Sequence, residues 1–195
     1  MKKLFALLLA VAMILTLTAC GDKGSDKGVS NNAEDVAKAI AKAEVYSDIK
    51  EMKTLWAYDY EAELKDEALE EFDSEEEFFE ALGDEYDEEI TSWNDAFAVV
   101  KKSEREYLED RYGEDFTVTV SVEESVEMDE DELADTIAEL IDDHEDYVNE
   151  SDLSKVKEGM IVTVTVVVKG ENQENENSSD VYLIKVGGKW KVAYF

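Results

Sequence analysis

Cysteine and histidine are almost missing from this chain: one of each in 195 residues, beside 51 acidic and only 19 basic side chains. A single thiol forms no intramolecular disulfide, so the fold is held by packing. The lone histidine, His144, has no partner at metal-ligand spacing, and neither a Gly-rich phosphate loop nor a nucleophile elbow occurs. The shortage of basic residues leaves a formal charge of -32. That charge removes the main source of affinity for nucleic acid and disfavours direct contact with anionic lipid. What the chain does have is apolar and aromatic material. Hydrophobic residues make up 44%, with 3 Trp, 9 Tyr and 7 Phe, which is enough for a packed core.

Met1, Lys2 and Lys3 form a short basic start, and residues 4–17 are apolar apart from Thr16, the layout of a secretory leader. The run falls short of the roughly 18 to 20 apolar residues that a bilayer core demands, so it is expected to be removed and not retained as a span. It ends in Leu17-Thr18-Ala19-Cys20-Gly21, which resembles the lipobox of bacterial lipoproteins. In that family a diacylglyceryl group, with acyl chains such as palmitate, joins the Cys thiol before a peptidase cuts just ahead of it. The resemblance implies a signal peptide over residues 1–19, with Leu17, Thr18 and Ala19 as lipobox and Cys20 as the lipidated N-terminus. It also implies anchoring at the extracytoplasmic face of the cell membrane. Two acyl chains on one residue suffice for stable anchoring where one does not. Residues 20–32, rich in Gly, Ser, Asn, Asp and Lys, then read as a flexible tether with a reach of roughly 20 Å. One domain is expected over residues 33–195.

Helical signals dominate its first half. Asn32 is placed to cap a helix with Val36, Ile40 and Ala43 on one face, and Ser47 a second with Ile49, Met52 and Trp56. Ser74-Glu75-Glu76-Glu77 reads as a capping box for a short helix that buries Phe78 and Leu82 and stops at Gly83. A longer helix is expected to hold Asp87, Glu88 and Glu89 in its first turns, to present Ile90, Trp93, Phe97, Val100 and Tyr107, and to end at Gly113. From Asp115 the period becomes two: Phe116, Val118, Val120 and Val122 alternate with polar residues, as do Met160, Val162, Val164, Val166 and Val168 later. Between these strands Asp129 and Glu132 are placed to cap a helix carrying Leu133, Ile137, Leu140 and Tyr147. Residues 171–180 contain no apolar side chain and read as a solvated hairpin loop. Gly187-Gly188 suits a two-residue hairpin turn. Closing it puts Val181, Leu183, Trp190, Val192 and Tyr194 on the core face, and Tyr182 and Ile184 on the other with Lys189 and Lys191. The class is α+β: N-terminal helices packed on a curved, cone-like antiparallel sheet of about four strands, with an acidic helical insertion over residues 61–113.

The opening pair, Asp35-Val36-Ala37-Lys38-Ala39-Ile40 through Ser47-Asp48 to Met52, Leu55 and Trp56, resembles the nuclear transport factor 2-like superfamily. So does the closing Val181-Tyr182-Leu183-Ile184-Lys185-Val186-Gly187-Gly188-Lys189-Trp190-Lys191-Val192. The resemblance implies helices wrapped by a curved antiparallel sheet, with a cavity in the cone. The insertion over residues 61–113 departs from the compact pattern.

Candidate site residues are few. Trp56, Tyr58, Tyr60, Trp93 and Trp190 are candidates for lining the mouth of the cone, although aromatics at such spacing also serve as core. His144 falls on the apolar stripe of its helix and reads as a satisfied boundary residue. Asp129-Glu130-Asp131-Glu132 and Asp142-Asp143-His144-Glu145-Asp146 lack the turn glycine of a calcium loop, so no metal and no cofactor is expected. A non-catalytic, membrane-tethered module that binds a protein or a small molecule follows from the lipobox, the tether and the want of catalytic groups. The alternative is an isomerase-like activity in the cone cavity, for which Asp59 between Tyr58 and Tyr60 is the cluster to examine. A two-lobed solute-binding protein needs roughly 200 residues or more, too many for this chain.

Overall fold

The computed structural model describes residues 32–195. The expectations for the signal peptide 1–19, the lipobox residues Leu17, Thr18 and Ala19, lipidation at Cys20 and the tether as far as residue 31 lie outside them. Among the described residues seven helices and four strands are formed: α1 (Ala33–Val45), α2 (Ile49–Leu55), α3 (Tyr60–Leu69), α4 (Glu75–Tyr86), α5 (Trp93–Tyr112), β1 (Thr117–Glu127), α6 (Glu130–Asp143), α7 (Glu150–Leu153), β2 (Gly159–Lys169), β3 (Glu174–Val186) and β4 (Lys189–Tyr194). The strands form one open antiparallel sheet in the order β1-β2-β3-β4, and five of the helices precede it. The architecture is α+β.

Asn32 caps α1 as its side chain accepts from the Glu34 N–H at 3.1 Å, satisfying one of the orphan donors of the first turn. Val36, Ala37, Ile40 and Ala41 are buried along one stripe of α1, which crosses β1, β2 and β4. The stripe meets the inward set of β2, in which Val162, Val164 and Val168 are fully buried. Alternation places these valines on a single face, and the ladder with β1 and β3 holds that face in register.

The opposite face is also covered at one end. Leu183 and Ile184 are adjacent in β3 and so point to opposite faces, yet each is 0% exposed. Gly159 pairs with Ile184, and a Cβ on it would meet Met128 Sδ at 2.5 Å and Leu133 Cδ1 at 2.8 Å. The Met128 turn and α6 therefore lie on the Ile184 face. The capping box that starts α6 is complete: Asp129 accepts from the N–H groups of Asp131 and Glu132, and Glu132 accepts from that of Asp129.

Several sequence expectations are corrected. Ile184 is core, because α6 packs over it. Tyr194 is not on the Trp190 face, since a bulge between Tyr182 and Leu183 makes Ala193 an extra residue and brings Tyr194 opposite Tyr182. Residues 171–180 are not a long loop: β3 begins at Glu174, and its polar half pairs residue for residue with β2 through Thr163–Asp180 and Thr165–Ser178 side-chain hydrogen bonds, both 2.6 Å. Backbone pairing needs no apolar side chain there. Gly83 does not stop its helix. The stop is Asp87, in the left-handed region at φ 53° with its N–H bonded to the Gly83 carbonyl. Gly83 serves close approach, as a Cβ would stand 2.7 Å from the Glu88 carbonyl oxygen. The next helix starts at Trp93, capped by Ser92, so residues 87–90 precede it. Tyr107, expected on its buried face, is 53% exposed. Ser47 is not a cap: it takes φ 47° in the turn after α1, and Asp48 precedes α2. Ser74 caps α4, but Glu77 returns to the Asp73 N–H and not to that of Ser74.

The insertion builds its own apolar cluster from Phe78, Phe79, Leu82, Ile90, Ala96 and Val99. Gly170 ties α5 to the β2–β3 turn, where a Cβ would fall 1.9 Å from the Tyr112 carbonyl oxygen. Ile184→Ala is expected to cost about as much as Leu183→Ala, roughly 2–5 kcal/mol by denaturant unfolding. A loss under about 0.5 kcal/mol would show that face to be solvated.

Candidate functional site

The cavity of interest lies outside the α1–sheet core, where α1 and α2 meet the insertion. Its walls are Glu44 at the end of α1, Ser47 in the following turn, Ile49 and Met52 of α2, Tyr60, Leu64 and Ala68 of α3, Phe78 and Leu82 of α4, and Trp93, Ala96, Phe97 and Val100 of α5. The space within them, including the open mouth, is about 560 Å³, but the enclosed part has room for only about three waters, so it holds a molecule of a few heavy atoms.

Helix spacing assembles these walls. Phe78 and Leu82 are four apart on α4, Trp93, Phe97 and Val100 share a face of α5, and Tyr60, Leu64 and Ala68 share one of α3. Trp93 stacks on Phe78 at 5.0 Å between centroids and lies 5.8 Å from Phe97. Its indole N–H donates to Glu75 at 2.6 Å, and the Lys65 ammonium stands 5.6 Å from its ring. On the other side Trp56, Tyr58 and Tyr60 form a ring cluster with centroids 5.3–6.1 Å apart.

Three polar groups matter in this apolar setting. The carboxyl of Glu44 makes no hydrogen bond or ion pair among the described residues. Burial pushes its pKa from the ordinary 4.5 up to about 7. The hydroxyl of Tyr60 is buried without a hydrogen-bond partner among the described residues, and burial first, then Glu44, push its pKa up. Ser47 holds a left-handed backbone that non-glycine residues rarely adopt. An unpartnered buried polar group costs roughly 1–3 kcal/mol, and backbone strain collects at functional sites.

Of the five aromatic candidates, Tyr60 and Trp93 line this cavity. Trp56 and Tyr58 stand behind Tyr60, with Trp56 bridging to Val192 along the free edge of β4. Trp190 is buried on the hairpin, where the Lys185 ammonium lies 5.4 Å from its ring. Asp59 is exposed at the N-terminus of α3, its carboxylate accepting from the Ala62 N–H at 3.1 Å. His144 ends α6, stacks on Tyr58 at 3.9 Å and bonds Glu63 through Nδ1 at 2.5 Å. Burial first, then Glu63, push the pKa of the Tyr58 phenol up. The acidic runs around Asp129 and Asp142 supply helix caps and solvated surface, and no group of three or more His, Cys, Asp or Glu among the described residues is arranged to hold a metal ion.

Sequence reasoning missed Glu44. Its signal is present: it follows Val36 by eight residues and Ile40 by four, so it continues the buried stripe. It also stands in the last turn of α1, the helix end a macrodipole makes unfavourable for an anion. No protein-family model, no curated protein and no solved structure matches the chain.

A raised carboxyl pKa means that the folded state binds the proton more tightly than the unfolded chain. Stability from this group is therefore full at low pH and lost as pH rises from about 4.5 to about 7. At about 1.4 kcal/mol per pH unit the loss is on the order of 3 kcal/mol. Glu44→Gln is expected to abolish it, so unfolding free energies at pH 5 and pH 8 converge in the variant. Equal pH dependence in both proteins would refute the assignment.

Proposed function

We propose that this protein is a lipid-anchored, extracytoplasmic binding module of bacterial lipoprotein type, and that the cavity between α1–α2 and the helical insertion takes a small, largely apolar molecule. The observation that carries the ligand reading is the cavity: apolar walls on α2, α3, α4 and α5 around an unpartnered Tyr60 hydroxyl and the Glu44 carboxyl. Small-molecule sites have this composition, a greasy lining with a few polar groups that set orientation. The reading is non-catalytic, and Asp59, on which the isomerase-like alternative rests, is spent on capping α3 outside the cavity.

The anchoring half rests on the lipobox and tether. The likeness to the nuclear transport factor 2-like superfamily is supported by the α1–α2 pair, the antiparallel sheet and the closing Gly-Gly hairpin. In this chain the space between α1 and the sheet is filled by Val36, Ile40, Val162, Val164 and Leu183. The ligand site therefore belongs to the insertion. No helix among the described residues is long and apolar enough to cross a membrane.

Two outcomes are expected. Cys20→Ser moves the protein from the membrane to the soluble fraction and abolishes palmitate labelling; undiminished membrane retention would rule out the anchor. In a thermal-shift assay, short-chain probes (1-propanol and propylamine) at about ten times their Kd raise the melting point by a few degrees. Ala96→Leu, which puts a larger side chain into the cavity, abolishes that shift while the protein stays folded by circular dichroism. A shift that persists in Ala96→Leu, or none with any probe, would remove the cavity from consideration.

A further inference from the structure

We propose that the cavity selects small organic amines: a protonated nitrogen held at the Glu44 carboxylate, carried on an apolar body of a few carbons that packs against Trp93, Phe97 and Tyr60. The proposal rests on the binding reading above and specifies its ligand class.

Glu44 is the one carboxyl among the lining residues. Three lysines of the neighbouring elements are engaged elsewhere. Lys53 and Lys65 both bond Glu61, and Lys101 bonds Asp48. Glu44 is half-buried beside apolar walls and enters no ion pair among the described residues, so an entering cation supplies a partner that the protein does not. Its charge-assisted hydrogen bond to Glu44 is of the stronger kind. The Tyr60 oxygen, buried without a partner, is a second acceptor in the same lining for an ammonium N–H. The other walls present aromatic faces, which attract a cation where carboxylates and phosphates are repelled. The net charge of -32 raises the local concentration of cations and lowers that of anions around the whole molecule. A neutral alcohol of the same size gains the packing but neither of the charge terms.

The titratable groups coupled to Glu44 are Tyr60 of α3 and Tyr58 before it; Glu63 and His144 stand beyond Tyr58, and the Asp48–Lys101 pair joins the turn after α1 to α5. Both phenols have raised pKa values and stay neutral between pH 6 and pH 8. Over that interval Glu44, near 7, passes from mostly protonated to mostly ionised. Amine affinity should therefore fall about tenfold from pH 8 to pH 6, while alcohol affinity changes little.

The test is isothermal titration of the purified protein, wild type and Glu44→Gln, with propylamine and with 1-propanol at pH 8 and pH 6. The expected result is propylamine binding at least tenfold tighter than 1-propanol to the wild type at pH 8. In Glu44→Gln, that preference and its pH dependence vanish while alcohol binding is retained. Equal affinities for the two probes, or an amine preference that survives in Glu44→Gln, would overturn the amine assignment and leave a cavity that reads only shape. Amine binding whose pH dependence persists in Glu44→Gln would trace to groups other than Glu44 and would likewise overturn it. Failure of both probes to bind the wild type sinks the cavity reading itself.

Discussion

The structure depends on one packing relation, the burial of the apolar stripe of α1 against the valine face of β2. Val36, Ile40 and Ala41 on the helix and Val162, Val164 and Val168 on the strand are each at most 1% exposed. With no disulfide among the described residues, this contact and its neighbours provide the cohesion. A buried Val or Ile side chain contributes roughly 1.5–3 kcal/mol relative to exposure. The ion pairs add little, as most involve exposed side chains. The acidic surface works against compaction by self-repulsion, so the apolar interior has to offset it.

Placing α1 on that face decides where its end projects. Glu44 and the strained Ser47 turn emerge at the edge of the α1–sheet core, and the helical insertion closes over them with Tyr60, Phe78, Trp93 and Phe97. The insertion has a small cluster of its own, yet Tyr60 and Phe97 belong to the main core while Phe78 and Ala96 belong to the satellite. The cavity is thus the seam between two apolar clusters. Seams of this kind are common ligand sites, since neither cluster alone dictates how tightly they pack.

Much of the architecture was legible because local signals agreed. Asn32, Ser74 and Asp129 cap the helices that their spacing announced, and strict alternation marked β1 and β2. The misses have a common cause in tertiary override. The polar half of β3 carries no hydrophobic period, because its pairing with β2 is made by backbone and side-chain hydrogen bonds. Ile184 looked solvated because alternation assigns a residue to a face without saying what lies on that face. Tyr194 changed sides through a single bulged residue. Tyr60 and Trp93 were singled out by type and lie in the cavity, whereas Trp190, chosen on the same grounds, lies in the hairpin.

By itself the amino-acid sequence determined the α+β class, the order of helices and strands apart from α3 and α7, the caps at Asn32, Ser74 and Asp129, and the acidic character. These follow from periodicity, cap chemistry and composition, all of which are local or additive. Only the tertiary structure decided that α6 covers the second face of the sheet, that Glu63 meets His144 across 81 positions, and that Glu44 sits without a counter-ion in an apolar cavity. Burial and partnership are properties of what the rest of the chain brings to a residue, and no local pattern encodes them.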